Sequence, residues 1–331
     1  MLRSDMLTLP VRRTARWLGL GRALLKVHSL RAQTLRGAVT MARARAQMLP
    51  RILNARPIQA GDGPVEVHML LHHQRILEGI WALYSFAHFS QAGCQIFVHS
   101  DGSLTEADTR QLLHVLPGTQ VIERPEADQR VEGRLRELGL SRSLQFRDSL
   151  VFALKLFDPF FFGDHSSFVL LDSDVLFFRR PTEVIAELID PDSLEPLSLY
   201  SPDNGFRYCL SAETLQEVLG QQCIANFNPG VLRARRAVLD LAFVEHCLQR
   251  AEFWGSGTRP HYYAELTLWA MQLTNAGAHQ LPPTYAITPP LDGLPPVSGH
   301  YCGGGYPATW FYSRGLPRLA GELGLEQTRQ H

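Results

Sequence analysis

Short apolar runs and amphipathic stretches alternate along the chain from residue 65 to residue 178. The apolar runs are rich in Val, Ile, Leu and Phe, and they predict strands at 65–71, 94–99, 120–122 and 168–178. Helical spacing of apolar residues predicts helices at 76–89, 105–116 and 146–157. Strand–helix–strand repeats with short connections are typical of a mostly parallel sheet covered by helices, so the pattern predicts an α/β fold.

The run at 168–178 carries two acids, Asp172 and Asp174, with four apolar residues on each side. Side chains at i and i+2 of a strand point the same way, so these carboxylates converge if the strand stays extended there. Buried carboxylates without a partner are costly, and a divalent cation such as Mg²⁺ or Mn²⁺ would relieve that cost. The alternative is that the two acids cap or salt-bridge a turn.

The chain after residue 180 is less regular. We predict a strand at 197–200, a loop at 225–232 that feeds a short strand, and helices at 237–250 and 262–273. The last of these helices carries a single acid, Glu265, among apolar neighbours. Paired prolines between residues 282 and 296 and three consecutive glycines at 303–305 predict an irregular region where backbone can approach a ligand closely.

Composition places this pattern in a globular protein. The 331 residues are 45% hydrophobic and 19% charged, which suits one large α/β domain or two small ones. No apolar run approaches the roughly 18 to 20 residues that span a bilayer. The five cysteines are an odd number without CxxC spacing, so we expect a reducing, cytoplasmic location and neither a disulfide scaffold nor a zinc site.

A formal net charge of zero conceals a marked asymmetry. Residues 1–56 contain twelve basic side chains and one acid, a net charge of +11, and the remainder carries −11. Gly and Pro at 57–64 then predict a boundary between a basic, helix-prone extension at 1–60 and a second domain at 61–331. Apolar residues recur at helical spacing within 17–27, with basic residues mostly on the other side.

Such a segment suits a helix in the interface of an anionic membrane, which would make the protein peripheral at the inner membrane. Two alternatives are a helix packed on the acidic domain of its own chain and, in a eukaryote, a mitochondrial presequence. A nucleic-acid-binding arm fits less well, because Trp17 is the one aromatic residue among the helically spaced positions. We therefore expect no nucleic-acid partner.

The order of motifs resembles that of the GT-A glycosyltransferases, most nearly the retaining enzymes of the glycogenin and lipopolysaccharide galactosyltransferase type. Residues 171–176 look like the DxD segment of that family, and 226–231 are similar to its Asn-x-Gly-Val loop on the acceptor side. Glu265 resembles part of its Asp-Gln pair, with Leu266 in place of the glutamine. His300, followed by the glycines at 303–305, looks like its late His-x-x-Gly element.

The resemblance implies a GT-A-like fold, a Mn²⁺ or Mg²⁺ cofactor, and transfer of a sugar from a nucleotide-diphosphate donor, which we expect to be UDP-linked. The acceptor would be a glycan, lipid or protein, with a lipid-linked or surface polysaccharide expected. It implies a metal site formed by three residues: Asp172, Asp174 and His300. It also implies donor contacts from the following residues: His72, His73, Asp101, Lys155, Asp172, Gly230, Gly303 and Gly304. Of these, His72, His73 and Asp101 would line the pocket for the base and ribose of the nucleoside.

Two roles stay open at the level of sequence. The diphosphate charge could be balanced by Lys155, or by Arg147 on another face of the predicted helix. An inverting enzyme needs a carboxylate base at the acceptor hydroxyl, for which Asp203 and Glu265 are candidates. A retaining enzyme, which the resemblance favours, can pass that proton to the leaving phosphate while Asn228 or Glu265 lines the reacting face.

Two other functional classes compete. The segment 170–176 also fits the nucleophile loop of haloacid-dehalogenase-type phosphatases, in which Asp172 would attack phosphorus. That motif normally opens its domain, whereas here three predicted strand–helix units precede it. The other class is a non-catalytic, membrane-associated protein of the same fold.

Overall fold

A computed structural model describes residues 35–190, 197–203, 207–255, 257, 259–287, 296–302 and 309–325. The predicted interfacial helix within residues 17–27, and the predicted donor contacts Gly303 and Gly304, lie outside these ranges. The strands are β1 Val65–Leu71, β2 Cys94–Ser100, β3 Gln120–Ile122, β4 Ser167–Leu171, β5 Val175–Phe177, β6 Leu199–Pro202, β7 Phe227–Arg235, β8 His279–Gln280, β9 Tyr285–Ile287 and β10 Ser298–His300.

The helices lie mostly between successive strands. They are α1 Leu35–Met48, α2 Ile76–Ser90, α3 Glu106–Val115, α4 Arg124–Ala127, α5 Gly133–Glu137, α6 Ser141–Ser149, α7 Ala153–Phe157, α8 Thr182–Ile189, α9 Ala212–Leu219, α10 Leu241–Cys247, α11 Ala264–Asn275 and α12 Leu316–Glu322. Short 3-10 turns occupy Leu49–Asn54, His73–Arg75, Asp158–Phe160, Arg236–Val238 and Ala251–Phe253. Wide helical turns occupy Asp128–Glu132 and Phe311–Gly315.

The main sheet has seven strands in the order β3-β2-β1-β4-β7-β6-β8. Strands β3, β2, β1 and β4 run parallel, β7 runs antiparallel to both of its neighbours, and β8 is parallel to β6. Apolar cores fill both faces of this sheet, since alternate residues of β2 and β4 join two different clusters. The predicted mostly parallel α/β sheet flanked by helices is confirmed.

The pattern predicted a single strand at 168–178, but the structure divides this apolar run between two strands. Strand β4 ends at Leu171, and Asp172–Asp174 turn the chain into β5, which belongs to a second sheet of order β5-β10-β9. A bond from the Val175 amide to the Asp172 carbonyl, 3.2 Å long, closes this turn. The pattern misleads because the residues of β4 and β5 are all buried, so the apolar run continues across the change of sheet.

Two further predicted elements differ from the structure. The predicted helix at 146–157 is divided between α6 and α7, because Leu150 is extended at φ −135° and ψ 113°. The predicted loop at 225–232 lies mostly in the nine-residue strand β7, where Phe227 and Asn228 pair with the end of β6. A register shift between Tyr200 and Ser201 accompanies that pairing.

Residues 41–60 of the basic segment pack on the domain that follows. The side chains of Leu49 and Ile52 are buried in the core, and the indole NH of Trp81 donates to the Leu49 carbonyl at 3.2 Å. The Arg45 guanidinium lies 3.2 Å from the buried Glu78 carboxylate. Within the described ranges, no helix combines the length and the apolar content needed to cross a bilayer.

Candidate metal and donor site

The turn at Asp172–Asp174 is held at the carboxyl end of β4 by backbone hydrogen bonds to two other elements. The Asp172 amide donates to the Gly230 carbonyl on β7 at 3.0 Å. The Tyr301 amide, just after β10, donates to the Asp174 carbonyl at 3.0 Å. These bonds tie the two acids to β7 on one side and to the end of β10 on the other, so three separate parts of the chain meet here.

The three predicted metal ligands come together in this turn. One ligand atom each from Asp172, Asp174 and His300 lies within 4.8 Å of the others. The His300 Nε2 atom is 3.0 Å from an Asp174 oxygen and 3.7 Å from an Asp172 oxygen. The two aspartates are 26% and 23% exposed and the histidine 5%, so the group opens to solvent on its carboxylate side.

The orientation of His300 is fixed by residues of β7. Its Nδ1–H donates to the Asn228 side-chain oxygen at 3.0 Å, and the Gly230 amide donates to the same oxygen at 2.8 Å. The hydrogen bond at Nδ1 orients the ring so that Nε2 faces the aspartates. A Cβ atom at position 230 would collide with the His300 ring, so a residue without a side chain is required beneath the imidazole.

The charges of this group depend on one another. Burial alone would raise the pKa of Asp174, but the adjacent His300, with smaller contributions from Arg75 and Lys155, holds that pKa below its ordinary value. Burial would likewise lower the pKa of His300, whereas the Asp174 carboxylate raises it. Without a metal ion the two residues therefore form a charge-assisted pair, which a divalent cation would replace with two bonds to the same atoms.

Two oxygen donors and one imidazole nitrogen fit a hard divalent cation. Carboxylates suit Mg²⁺ and Mn²⁺, and an imidazole among them is compatible with Mn²⁺. Three protein ligands facing solvent would leave coordination positions for the oxygens of a substrate. Asp172, Asp174 and His300 therefore would hold Mn²⁺ or Mg²⁺ in a site of the open kind.

Lys155 and Glu265 lie beside this group. The Lys155 Nζ atom is 2.5 Å from an Asp172 oxygen, although the ammonium is almost fully buried. Burial raises the pKa of Glu265 to about 7, and Lys155 opposes that shift while Asp172 adds to it. Within the described part of the chain, one Glu265 carboxylate oxygen is buried without a hydrogen-bond partner. Such an oxygen lacks the hydrogen bond that a buried carboxylate normally makes.

Arg147, the alternative cation, has a different role. Its guanidinium is fully buried and contacts the carboxylates of Asp158, Asp128 and Glu132 at distances from 2.7 to 3.1 Å. It therefore neutralises acids within the helical layer, and of the two candidates only Lys155 contacts Asp172. Sequence reasoning could not separate them, because the break between α6 and α7 decides which way each points.

The polar residues predicted to contact the nucleoside follow β1 and β2. The His73 imidazole, 56% exposed, lies 2.7 Å from Asp108. The Asp101 carboxylate accepts from the Ser103 amide at 2.9 Å and from its hydroxyl. His72 precedes the turn that starts α2. These residues lie in neighbouring loops at the carboxyl ends of two adjacent strands. Their contact with a donor stays a prediction.

The remaining predicted catalytic residues lie at the end of β6 and on β7. The Asn228 side-chain amide donates to an Asp203 oxygen at 3.3 Å. The amide of Asn228 is thus engaged at its oxygen by His300 and at its nitrogen by Asp203. Sequence analysis did not single out Arg75, whose charge lowers the pKa of Asp174 after the larger effects of burial and His300. Its position just after β1 is the signal that could have indicated it.

A second group of acids and histidine does not fit a metal. Ligand atoms of Glu66, Asp164 and His165 also lie within 4.8 Å of one another. However, Glu66 accepts hydrogen bonds from the backbone amides of Asp164 and His165 and from the His68 ring, and it pairs with the Arg236 guanidinium. Both oxygens of the fully buried Glu66 are thus engaged by protein donors, so Glu66 serves an internal ion pair.

Comparisons with known proteins give weak likenesses only. No protein-family model and no curated protein matches this chain. A solved structure of the galactosyltransferase LgtC with donor and acceptor sugar analogues is 17% identical, with a TM-score of 0.48, over 78% of this chain and 95% of that one. Glucosyl-3-phosphoglycerate synthase from Mycobacterium tuberculosis, solved with Mn²⁺ and UDP-glucose, is 14% identical, with a TM-score of 0.37, over 85% of this chain and 83% of that one. Because these likenesses are weak, the functional assignment below rests on the geometry of the site.

Proposed function

We propose that this protein is a metal-dependent glycosyltransferase that moves a sugar from a UDP-sugar to an acceptor hydroxyl. The convergence of Asp172, Asp174 and His300 at the carboxyl end of β4 carries the proposal. In open α/β sheets, ligands bind beyond the carboxyl ends of the strands. A solvent-facing group of two carboxylates and one imidazole there suits a cation shared with a diphosphate.

Each residue of the site has a separate role in the proposed sugar transfer. The acceptor oxygen bonds to the anomeric carbon, the bond from that carbon to the β-phosphate oxygen breaks, and the hydroxyl proton passes to that oxygen. A bound divalent cation would neutralise the negative charge that develops on the diphosphate. Lys155 fixes Asp172, while Asn228 and Gly230 fix His300, so the ligands are oriented before the substrate arrives.

Glu265 is the group we assign to the reacting face of the sugar. Its buried carboxylate lies in the field of Lys155 and Asp172, and its free oxygen can stabilise positive charge that builds up on the sugar. We expect Glu265→Gln to lower kcat by about 10² to 10⁴-fold with little change in the KM of the donor. Steady-state kinetics would check this, and an unchanged kcat would remove Glu265 from the reaction.

A nucleotide panel tests the proposed function itself. The full chain is incubated with UDP-, GDP- and ADP-sugars, with and without Mn²⁺, and both nucleoside diphosphate release and thermal shift are followed. We expect stabilisation and release with a UDP-sugar only when Mn²⁺ is present. Phosphatase activity without stabilisation by any nucleotide would indicate the haloacid-dehalogenase alternative. Nucleotide binding without release would indicate a non-catalytic protein.

We also propose that the basic segment brings the enzyme to an anionic membrane surface, where a lipid-linked or surface polysaccharide acceptor would be found. The support is the net charge of +11 on residues 1–56. Removing residues 1–34 retains the buried Leu49 and Ile52. We expect this truncation to weaken binding to phosphatidylglycerol vesicles in a sedimentation assay, and unchanged binding would exclude the proposal.

A further inference from the structure

Two aromatic rings lie together on the surface of the protein. Phe152 is 40% exposed and Tyr262 is 66% exposed, and they are the only aromatic residues among the exposed large hydrophobic side chains of the described chain. Their ring centroids are 5.8 Å apart, with the planes at 88°. Tyr263 extends the cluster, at 5.0 Å from the Tyr262 ring. Exposed rings in such a group are costly unless they meet a partner.

Each ring lies close in sequence to a residue of the proposed active site. Phe152 directly precedes α7, three residues before Lys155, and Tyr262 lies just before α11, three residues before Glu265. The carboxylate of Glu265 is close enough to feel the charge of Lys155. Side chains on a helix tilt toward its N-terminus, which is the end of α7 and of α11 at which the rings lie.

We propose that Phe152 and Tyr262 form a stacking platform for a sugar ring of the acceptor, an inference that rests on the proposed glycosyltransferase function. One face of a pyranose carries C–H bonds and packs on an aromatic ring, while its hydroxyls stay at the edge in contact with water or polar groups. Two rings at right angles offer a face and an edge to the same sugar. The neighbouring His261 ring supplies a polar group at the rim.

The position of the platform favours the acceptor over the donor nucleoside. The residues expected to contact the nucleoside follow β1 and β2. Tyr262 precedes α11, which packs on β7, and Phe152 precedes α7, which packs on α11 and β1. Strand β4, which carries the metal group, lies between β1 and β7 in the sheet. An acyl chain would need a wider apolar surface than two rings bordered by a histidine. A sugar ring is thus the partner that matches both size and chemistry.

The experiment measures binding of methyl glycosides by saturation-transfer NMR, using the full chain with UDP and Mn²⁺. The panel contains methyl α- and β-glucosides, galactosides and lactosides. We expect at least one to bind, and Tyr262→Ala and Phe152→Ala to weaken that binding by about tenfold, whereas Tyr262→Phe retains it. Leu138→Ala removes another exposed hydrophobic side chain, 43% exposed, and serves as the control that changes nothing.

Calorimetry of UDP with Mn²⁺ separates this inference from the proposed function. Tyr262→Ala should bind UDP as the unmodified chain does, since the platform does not touch the donor. Failure of the unmodified chain to bind UDP would remove the proposed function. Three results would contradict the proposed platform. The unmodified chain could bind none of the glycosides, or Tyr262→Ala could bind them as tightly as the unmodified chain does. The third is that Tyr262→Ala loses vesicle binding but keeps glycoside binding.

Discussion

The orientation of His300 depends on two residues that bind no metal themselves. Asn228 accepts from its Nδ1 atom, and Gly230 leaves the space in which the ring lies. Partners of this kind decide which nitrogen is available and where it points. The candidate metal site therefore depends on β7 as much as on its three proposed ligands.

Gly230→Ala tests this dependence. The added methyl group would displace the His300 ring, so we expect the affinity for Mn²⁺ to fall by about 10 to 100-fold, measured by calorimetry. Gly133→Ala is the matched control, because a Cβ atom there meets nothing within 4 Å. Equal Mn²⁺ affinity in both variants would show that His300 contributes little to the site.

At the scale of elements, Arg147 joins helices that carry several acids. Its guanidinium is fully buried against Asp158, which is itself 1% exposed. We expect Arg147→Ala to lower the free energy of unfolding by about 3–5 kcal/mol, because it leaves a buried carboxylate without its partner. Denaturant titration measures this loss.

Arg110→Ala is the control for that measurement. Arg110 and Glu106 form an ion pair on α3 and are 70% and 93% exposed, so its removal should cost no more than about 0.5 kcal/mol. If the two variants lost the same free energy of unfolding, Arg147 would have no special structural role.

The elements also show how far the sequence predicts this structure. The limits of β1 and β3 are predicted because short runs with β-branched residues are bounded by Gly, Pro and polar residues. The division of the run at 168–178 into two strands is not predicted, because the residues on both sides of the change of sheet are buried. Spacing and family resemblance indicate Asp172, Asp174 and His300. No local pattern indicates that Asn228 orients His300, since the contact spans 72 residues.

At the scale of the whole molecule, part of the basic segment belongs to the folded domain. Ile52 is 0% exposed, and the Ile58 and Ala60 amides donate to carbonyls at and just after the end of α3. We expect Ile52→Ala to lower the free energy of unfolding by about 2–5 kcal/mol. Val39→Ala, at a position 47% exposed on α1, should have little effect. Similar losses in both variants would contradict the packing described here.

The central claim is that Asp172, Asp174 and His300 bind a divalent cation together with a nucleoside diphosphate. Calorimetric titration of UDP into the full chain tests it most directly, with and without Mn²⁺, in the unmodified protein and in Asp174→Asn and Asp164→Asn. Asp164 belongs to the other acidic group, in which Arg236 pairs with Glu66. We expect UDP to bind only with Mn²⁺, and this binding to be lost in Asp174→Asn and kept in Asp164→Asn. Binding that is independent of Mn²⁺, or that survives in Asp174→Asn, would contradict the account.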